Sequence, residues 1–237
     1  MRRLNLESPT ARNAGVRWVG EQRAVLAGDV RGHVALECLS SLPHLYGLGP
    51  LEGLRGEVSI FGDAPSLAHV EQGRVVTASG WNARSCFLVW AQVPQWSNHT
   101  MASVASLDAV EGEARRLAAE EGPGETAPFP FKILGLAEEI TFHVLDKRDG
   151  PGHSPERHEL AKARWTLERT PVELVGFHSR QHRGIFTPKE SNIHVHMRTE
   201  DGRISGHVET IRLSAGARIS VPSRGWPHQT GKEHLCG

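Results

Sequence analysis

The sequence lacks the long apolar segments of membrane spans and secretion signals. None of its 237 residues belongs to a run of about eighteen apolar residues, the shortest that spans a bilayer as a helix, and its N-terminal arginines precede no apolar signal region. Cysteine is also scarce: Cys38, Cys86 and Cys236 are odd in number and far apart, which favours reduced thiols over a disulfide framework or a thiolate metal site. We therefore expect a cytoplasmic protein with no membrane partner.

An excess of charge of one sign is missing as well. The 27 Lys and Arg residues balance the 27 Asp and Glu residues, so no net electrostatic field attracts nucleic acid. Hydrophobic residues make up 38% of the chain and charged residues 23%, as is ordinary for a folded globular protein. We expect a small-molecule substrate, no nucleic-acid partner, and a homodimer as the alternative to a monomer.

The pattern of apolar residues predicts many strands and few helices. One helix is expected over residues 106–121, with Ser106 as its N-cap and Val110 and Ala114 on its apolar face, and another over residues 159–167. The predicted strands include residues 86–93, 129–134, 139–145, 172–178, 193–198, 203–213 and 218–221. This mixture favours an α+β fold built on mixed β-sheets with few helices.

Glycine and proline at residues 122–124 predict the end of the long helix and a boundary between two parts. The N-terminal part, residues 1–124, would be rich in β-strands and would contain a glycine-rich tight loop at residues 46–57 and the helix. The C-terminal part, residues 125–237, would be a sheet, and the chain after Pro222 would be a tail.

Histidine is the residue type in excess, with 14 copies against a single tyrosine. The pair Asp201-Gly202, flanked by alternating residues, is typical of a two-residue hairpin turn. His196 lies five residues before Asp201 and His207 five residues after Gly202, so the turn places them directly opposite each other. His194 shares a strand face with His196 because residues two apart point the same way. The hairpin therefore predicts a metal site of three histidines with a position open for water or substrate.

A carboxylate is expected beside these histidines. The same register places Glu209 opposite His194, where it is either a fourth ligand, an acid or base, or an ordinary polar strand residue. Three neutral imidazoles suit Zn²⁺, and they also suit iron, manganese, nickel or copper.

Three segments of the sequence resemble the acetolactate decarboxylase family. They are YGLGPLEGLRGEV at residues 46–58, LVGF at residues 174–177, and the HVH…GHV pair at residues 194–196 and 206–208. The resemblance runs, with gaps, over residues 25–221. It implies an acetolactate decarboxylase-like architecture in two parts, with a mixed α/β chain.

The resemblance also implies a site and a reaction. In that family, zinc is held by three histidines that match His194, His196 and His207, and a glutamate that matches Glu57 lies near the metal. The family converts 2-acetolactate to acetoin. The metal acts as a Lewis acid toward the negative charge that develops as CO₂ leaves, and a carboxylic acid then protonates the enediolate.

Two positions depart from the family pattern. His143 stands where the family has an arginine that can pair with a substrate carboxylate, and a neutral imidazole does not replace that bidentate guanidinium. The family's second active-site glutamate, near its C-terminus, has no aligned counterpart in residues 227–237. We accordingly expect Glu57, His143 and Glu209 as catalytic residues, with Glu209 in place of the missing glutamate.

The segment before the hairpin supplies further candidates. His178, Arg180, His182 and Arg183 lie where the family counterpart shapes the active site, and either arginine is a candidate for the missing positive charge. An exposed loop is the favoured interpretation of all four.

The sequence leaves three functions open. The first is a zinc-dependent carboxy-lyase that acts on a small 2-hydroxy-3-oxo acid through a metal-stabilised enediolate. The second is a diverged lyase, isomerase or cyclase with the same metal site and a larger β-keto or enolisable substrate, which His143 and the altered tail favour. The third is a non-catalytic, metal-stabilised binding module, although the chain lacks the positive charge of nucleic-acid-binding modules.

Overall fold

The structure is a computed structural model that describes residues 15–62, 65–124, 126–227 and 230–233. The helices in this part of the chain are α1 (Gln22–Leu26), α2 (Leu107–Glu121) and α3 (Pro155–Leu160), with short 3₁₀ turns at Leu36–Leu39 and Glu52–Leu54. The strands are β1 (Val16–Val19), β2 (Val34–Ala35), β3 (Leu45–Pro50), β4 (Glu57–Gly62), β5 (Pro65–Glu71), β6 (Arg74–Ser79), β7 (Arg84–Ser85), β8 (Leu88–Gln92), β9 (Trp96–Thr100), β10 (Phe129–Leu145), β11 (Lys162–His178), β12 (Ile193–Thr199), β13 (Ser205–Leu213), β14 (Arg218–Pro222) and β15 (Thr230–Lys232). This composition confirms the expected α+β class.

One sheet has seven strands in the order β15-β1-β8-β3-β4-β5-β6. The glycine-rich segment does not form the tight loop that its composition predicts: its first part is the buried strand β3, and only residues 51–56 turn the chain into β4. Glycine is needed in β3 for close packing, because a Cβ at Gly49 would lie 2.0 Å from the Phe87 carbonyl oxygen. This connection places Glu57 at the start of β4.

The other large sheet has six strands in the order β11-β12-β13-β10-β14-β9. Because β10 also pairs with β11, strands β11, β12, β13 and β10 form a closed circuit of antiparallel pairs. The two strands expected at residues 129–134 and 139–145 are one strand of 17 residues, with a register shift between Ala137 and Glu139. The predicted helix over residues 159–167 is wrong: α3 ends at Leu160, and the following residues alternate along β11 opposite β10.

Helix α2 confirms the sequence prediction. The Ser106 side chain caps it by accepting a hydrogen bond from Ala109 N at 3.2 Å. Val110, Ala114, Leu117 and Ala118 are its buried face. The helix ends at Glu121, next to Gly122, so the predicted stop is also confirmed.

Each part of the chain contributes one strand to the sheet that the other part mainly forms. Strand β9, from before residues 122–124, belongs to the six-stranded sheet, and β15, from after them, pairs in parallel with β1. The tail expected after Pro222 therefore includes a strand. The boundary at residues 122–124 itself stays a prediction.

The structure also bears on the expected state of the cysteines and on the expected lack of a membrane-spanning helix. Cys86 is free and buried, whereas Cys38 is disulfide-bonded. The expectation of reduced thiols is therefore wrong for Cys38. Cys236 lies outside the described residues. Helix α2 has 15 residues, and no helix in the described ranges is long and apolar enough to cross a bilayer.

Candidate metal and active site

The hairpin of β12 and β13 has the register that the sequence predicts. His196 pairs with His207, Met197 with Gly206, and Arg198 with Ser205. The turn differs, because Thr199 N donates to Ile204 O at 2.9 Å while Glu200 N donates to Pro171 O at 3.1 Å. The loop thus spans residues 200–203 instead of Asp201 and Gly202 alone. Lengthening the loop by one residue at each end leaves the pairing of the histidines unchanged.

Three histidine side chains converge on one face of this hairpin. Potential ligand atoms of His194, His196 and His207 all lie within 4.8 Å of one another. His194 Nε2 and His207 Nδ1 are 3.0 Å apart. Two ligands bonded to one ion at about 2.0–2.1 Å lie about 2.8–3.4 Å apart for bond angles between 90° and 109°. The two nitrogens are thus at a hydrogen-bond distance from each other, and the same spacing lets them share a metal ion.

Hydrogen bonds prepare two of the rings for metal binding. His194 Nδ1 donates to Phe186 O at 2.9 Å, which leaves Nε2 as a lone-pair donor toward the site. Ser59 Oγ lies 2.9 Å from His196 Nδ1 and accepts from Ser205 Oγ at 3.2 Å. His196 Nε2 is buried without a hydrogen-bond partner among the described residues. An unpartnered buried nitrogen is costly unless something binds it, so the donor set fits a metal ion.

Burial keeps these imidazoles neutral. It lowers the pKa of His194 to about 4 and the pKa of His196 and His207 well below the ordinary range, with further lowering from neighbouring histidines. Only a neutral imidazole can bind a metal. The residues are therefore in the ligating state at neutral pH.

Glu57 places a carboxylate beside His196. Its Oε2 lies 3.8 Å from His196 Nε2 and its Oε1 3.9 Å from His143 Nε2. The side chain is buried, and Oε1 has no hydrogen-bond partner among the described residues. Burial raises the pKa of Glu57 well above its usual range, against a hydrogen bond from the Leu145 backbone that lowers it. A carboxyl group in this environment favours the protonated form.

His143 is held between Glu57 and Glu209. It pairs across the sheet with His207 on β13, and the two rings stack with centroids 4.5 Å apart. Burial lowers the pKa of His143, so the neutral ring donates from Nδ1 to Glu209 Oε1 at 2.9 Å. That hydrogen bond, with help from Arg164 Nε at 2.8 Å, lowers the pKa of Glu209 to about 2. The Nε2 lone pair of His143 is then directed toward Glu57.

Glu209 borders the site, but it does not take the position expected for it. The ladder of β12 and β13 covers residues 196–198 and 205–207 and does not include the predicted pair His194 and Glu209. The Glu209 carboxylate instead forms its hydrogen bonds with His143 and Arg164. A bulge between Thr141 and Phe142 alters the register of β10 against β13 next to these residues.

These side chains surround a pocket of about 170 Å³. The polar and metal-ligating groups on its wall are Gln22, Glu57, His143, His158, Lys162, His194, His207 and Glu209. Val25, Phe87 and Leu145 supply apolar surface. The volume is below the range of about 300–1,000 Å³ typical for drug-sized ligands, so the pocket suits a substrate of few atoms.

Sequence reasoning missed Ser59, His158 and Lys162. Ser59 is two residues from Glu57 on β4, so the shared strand face was an available signal. Lys162 pairs with Leu145, two residues from His143. The incorrect prediction of a helix over residues 159–167 concealed that pairing.

The segment before the hairpin shapes the site through other residues than those proposed. His178 stacks on Phe129 at 4.8 Å and His182 on Phe186 at 4.7 Å. Neither they nor Arg180 and Arg183 are among the described residues that line the pocket. The segment contributes the Phe186 carbonyl and the Pro188 side chain instead.

The described C-terminal residues supply no carboxylate to the pocket. Glu233 forms an ion pair with Arg17 at 3.3 Å, and its backbone N–H donates to Trp18 O at 2.8 Å. Within residues 230–233, nothing takes the place of the family's second glutamate.

Comparison with known proteins identifies the fold. No family model matches the chain, and no curated protein matches its sequence. An acetolactate decarboxylase from Bacillus subtilis subspecies spizizenii superposes with a TM-score of 0.76 at 16% identity, covering 93% of this chain and 89% of its own. Acetolactate decarboxylase from B. subtilis strain 168 gives 0.73 at 17% identity, covering 93% and 88%. A Staphylococcus aureus protein described as similar to that enzyme gives 0.74 at 14% identity, covering 92% and 88%. The resemblance found in the sequence is therefore confirmed at the level of the fold: this chain folds as the acetolactate decarboxylases do.

Proposed function

We propose that this protein is a zinc-dependent decarboxylase of small 2-hydroxy-3-oxo acids, with 2-acetolactate as the reference substrate. The observation that carries the proposal is the convergence of three neutral histidines beside a small pocket, whose wall includes His194, His207 and the buried acid Glu57. The similarity in fold to acetolactate decarboxylases supports it. His194, His196 and His207 would hold the metal.

Zinc bound by these histidines would supply Lewis acidity toward the negative charge that develops on the substrate's oxygens. In the reaction, the bond between C2 and the carboxylate carbon breaks and CO₂ leaves. The electron pair moves into the adjacent carbonyl, which gives an enediolate. A proton must then add to C2 to give the hydroxyketone.

Glu57 is the proposed donor of that proton. Its burial favours the protonated carboxyl group, and it belongs to the pocket wall next to His143. After donation, the carboxylate is ionised and faces the lone pair of His143. The neutral His143, fixed by Glu209, has its Nε2 3.9 Å from Glu57 Oε1 and would accept a hydrogen bond from the protonated carboxyl group.

Acetoin formation from racemic acetolactate by the purified, zinc-loaded protein tests the proposal. We expect production well above the spontaneous background, and production that His207→Ala abolishes. Acetoin at the background rate, from protein whose zinc content is stoichiometric, would refute the proposed substrate.

One observation favours a second candidate, a diverged lyase, isomerase or cyclase with another enolisable substrate. His143 occupies the pocket wall at the position where the resemblance predicts an arginine. Proton exchange at the α-carbon of a panel of small ketones, measured by NMR in D₂O, would detect enolisation without decarboxylation.

A further inference from the structure

Lys162 is the one cation on the described wall of the pocket. It lies at the start of β11 opposite Leu145, and its side chain is only 21% exposed. The remaining polar groups there are the amide of Gln22, neutral imidazoles and carboxyl groups. Among the described side chains on this wall, Lys162 is therefore the group that can supply a counter-charge to an anion, in addition to any metal ion that the histidines hold.

The ion-pair network around Lys162 allows it to change partner. Its ammonium contacts Glu159 Oε2 at 2.8 Å, while Glu159 Oε1 also accepts a hydrogen bond from Arg164. Arg164 in turn holds Glu209. If Lys162 turned into the pocket, Glu159 would keep a cationic partner. The cost of releasing Lys162 is small, because Glu159 is largely exposed and such pairs contribute little.

The charge on Lys162 already acts on the interior of the site. Although burial is the main influence on the pKa of Glu57, His143 and His207, Lys162 lowers the pKa of each of them. A carboxylate placed among these groups loses hydration, and a charge-assisted hydrogen bond compensates for that loss.

We propose that Lys162 is a specificity-determining residue whose ammonium group binds the carboxylate of the substrate. The inference rests on the proposed function and adds to it the group that selects acids over neutral hydroxyketones. In the substrate complex, Lys162 would exchange Glu159 for the substrate carboxylate, and Arg164 would stay with Glu159 and Glu209.

Binding of a non-reacting pair of ligands tests this assignment. The probes are 2-hydroxyisobutyrate, which has no 3-oxo group and forms no enediolate, and its uncharged amide. Each is titrated calorimetrically into zinc-loaded full-length protein. Lys162→Met removes the charge, Lys162→Arg keeps it, and Lys189→Met is the control at an exposed lysine next to the pocket residue Pro188.

We expect Lys162→Met to weaken binding of the acid about tenfold to a hundredfold, the usual effect of losing a hydrogen bond to a charged group, and to leave binding of the amide unchanged. Lys162→Arg should restore most of the preference for the acid, and Lys189→Met should behave as wild type. Equal affinities for acid and amide in wild type, or a Lys162→Met protein that matches the Lys189→Met control, would overturn the inference. If Lys162→Met does not fold, Lys162→Gln is judged by the same ratio.

The two proposals can fail separately. Selective binding of the acid that depends on Lys162, without acetoin production, would refute the substrate and leave the role of Lys162 standing. Acetoin production with an unchanged KM in Lys162→Met would refute the role of Lys162 alone.

Discussion

Replacing Glu57 by glutamine should separate catalysis from stability. The substitution keeps the size of the side chain and an acceptor for the Leu145 backbone N–H, but it removes the transferable proton. Loss of a general acid costs about 10²–10⁴ in rate. We therefore expect kcat for acetoin formation to fall by that factor.

The same substitution should make the metal-free protein more stable at neutral pH. The folded state raises the pKa of Glu57, so the folded chain holds a proton that the unfolded chain has released above pH 4.5. The stability of the wild type therefore falls as pH rises from 4.5 toward the folded pKa. One proton contributes at most about 1.4 kcal/mol per pH unit, or about 3 kcal/mol between pH 5 and pH 7.

Urea unfolding of metal-free wild type and Glu57→Gln at pH 5, 6 and 7 measures this difference. The variant should gain on the wild type at each step, because the glutamine side chain does not ionise. A kcat within threefold of wild type, or a stability difference that does not change with pH, would refute the assignment of Glu57 as a buried acid.

Three further predictions concern a proposed metal ligand, the carboxylate that holds His143, and a buried histidine outside the pocket. His207→Ala should lower zinc affinity by more than the roughly 10- to 100-fold typical of supporting residues, whereas His69→Ala should keep full metal content by elemental analysis. Glu209→Gln should lower kcat about tenfold with KM and zinc content unchanged, because His143 loses a charge-assisted hydrogen bond worth about 1.5 kcal/mol; an unaltered kcat would contradict its positioning role. Burial lowers the pKa of His178 to about 4, so between about pH 6.5 and pH 4 the unfolded chain binds a proton at His178 that the folded chain does not. The free energy of unfolding should therefore decrease as the pH falls through this range, and it should decrease less steeply in His178→Phe.

The histidine triad could be predicted because its geometry is local. His196 and His207 lie on adjacent strands joined by a short loop, and only the parity of the loop decides whether they share a face. The sequence predicted a loop of two residues and the structure has four, yet the parity is the same. The prediction therefore succeeded despite an incorrect turn.

The far wall of the pocket could not be predicted in the same way. Residues 162–167 read as a helix when taken alone, but pairing along β10 makes them a strand. Lys162 and Arg164 reach the site only through that long-range pairing. Helix and strand preferences are weak compared with the pairing of two strands of 17 residues each.

Strand β4 shows how the two sheets come together at the three histidines. Glu57 and Ser59 lie two residues apart, and each is next to a different nitrogen of the His196 ring. Ser59 Oγ is 2.9 Å from His196 Nδ1, and Glu57 Oε2 is 3.8 Å from His196 Nε2. Ser59 also joins Ser205 on β13. One strand of the first sheet therefore fixes the orientation of a ligand carried by the second sheet and supplies the acid beside it. The spacing of Glu57 and Ser59 is visible in the sequence, but its meaning depends on a contact between residues 137 positions apart.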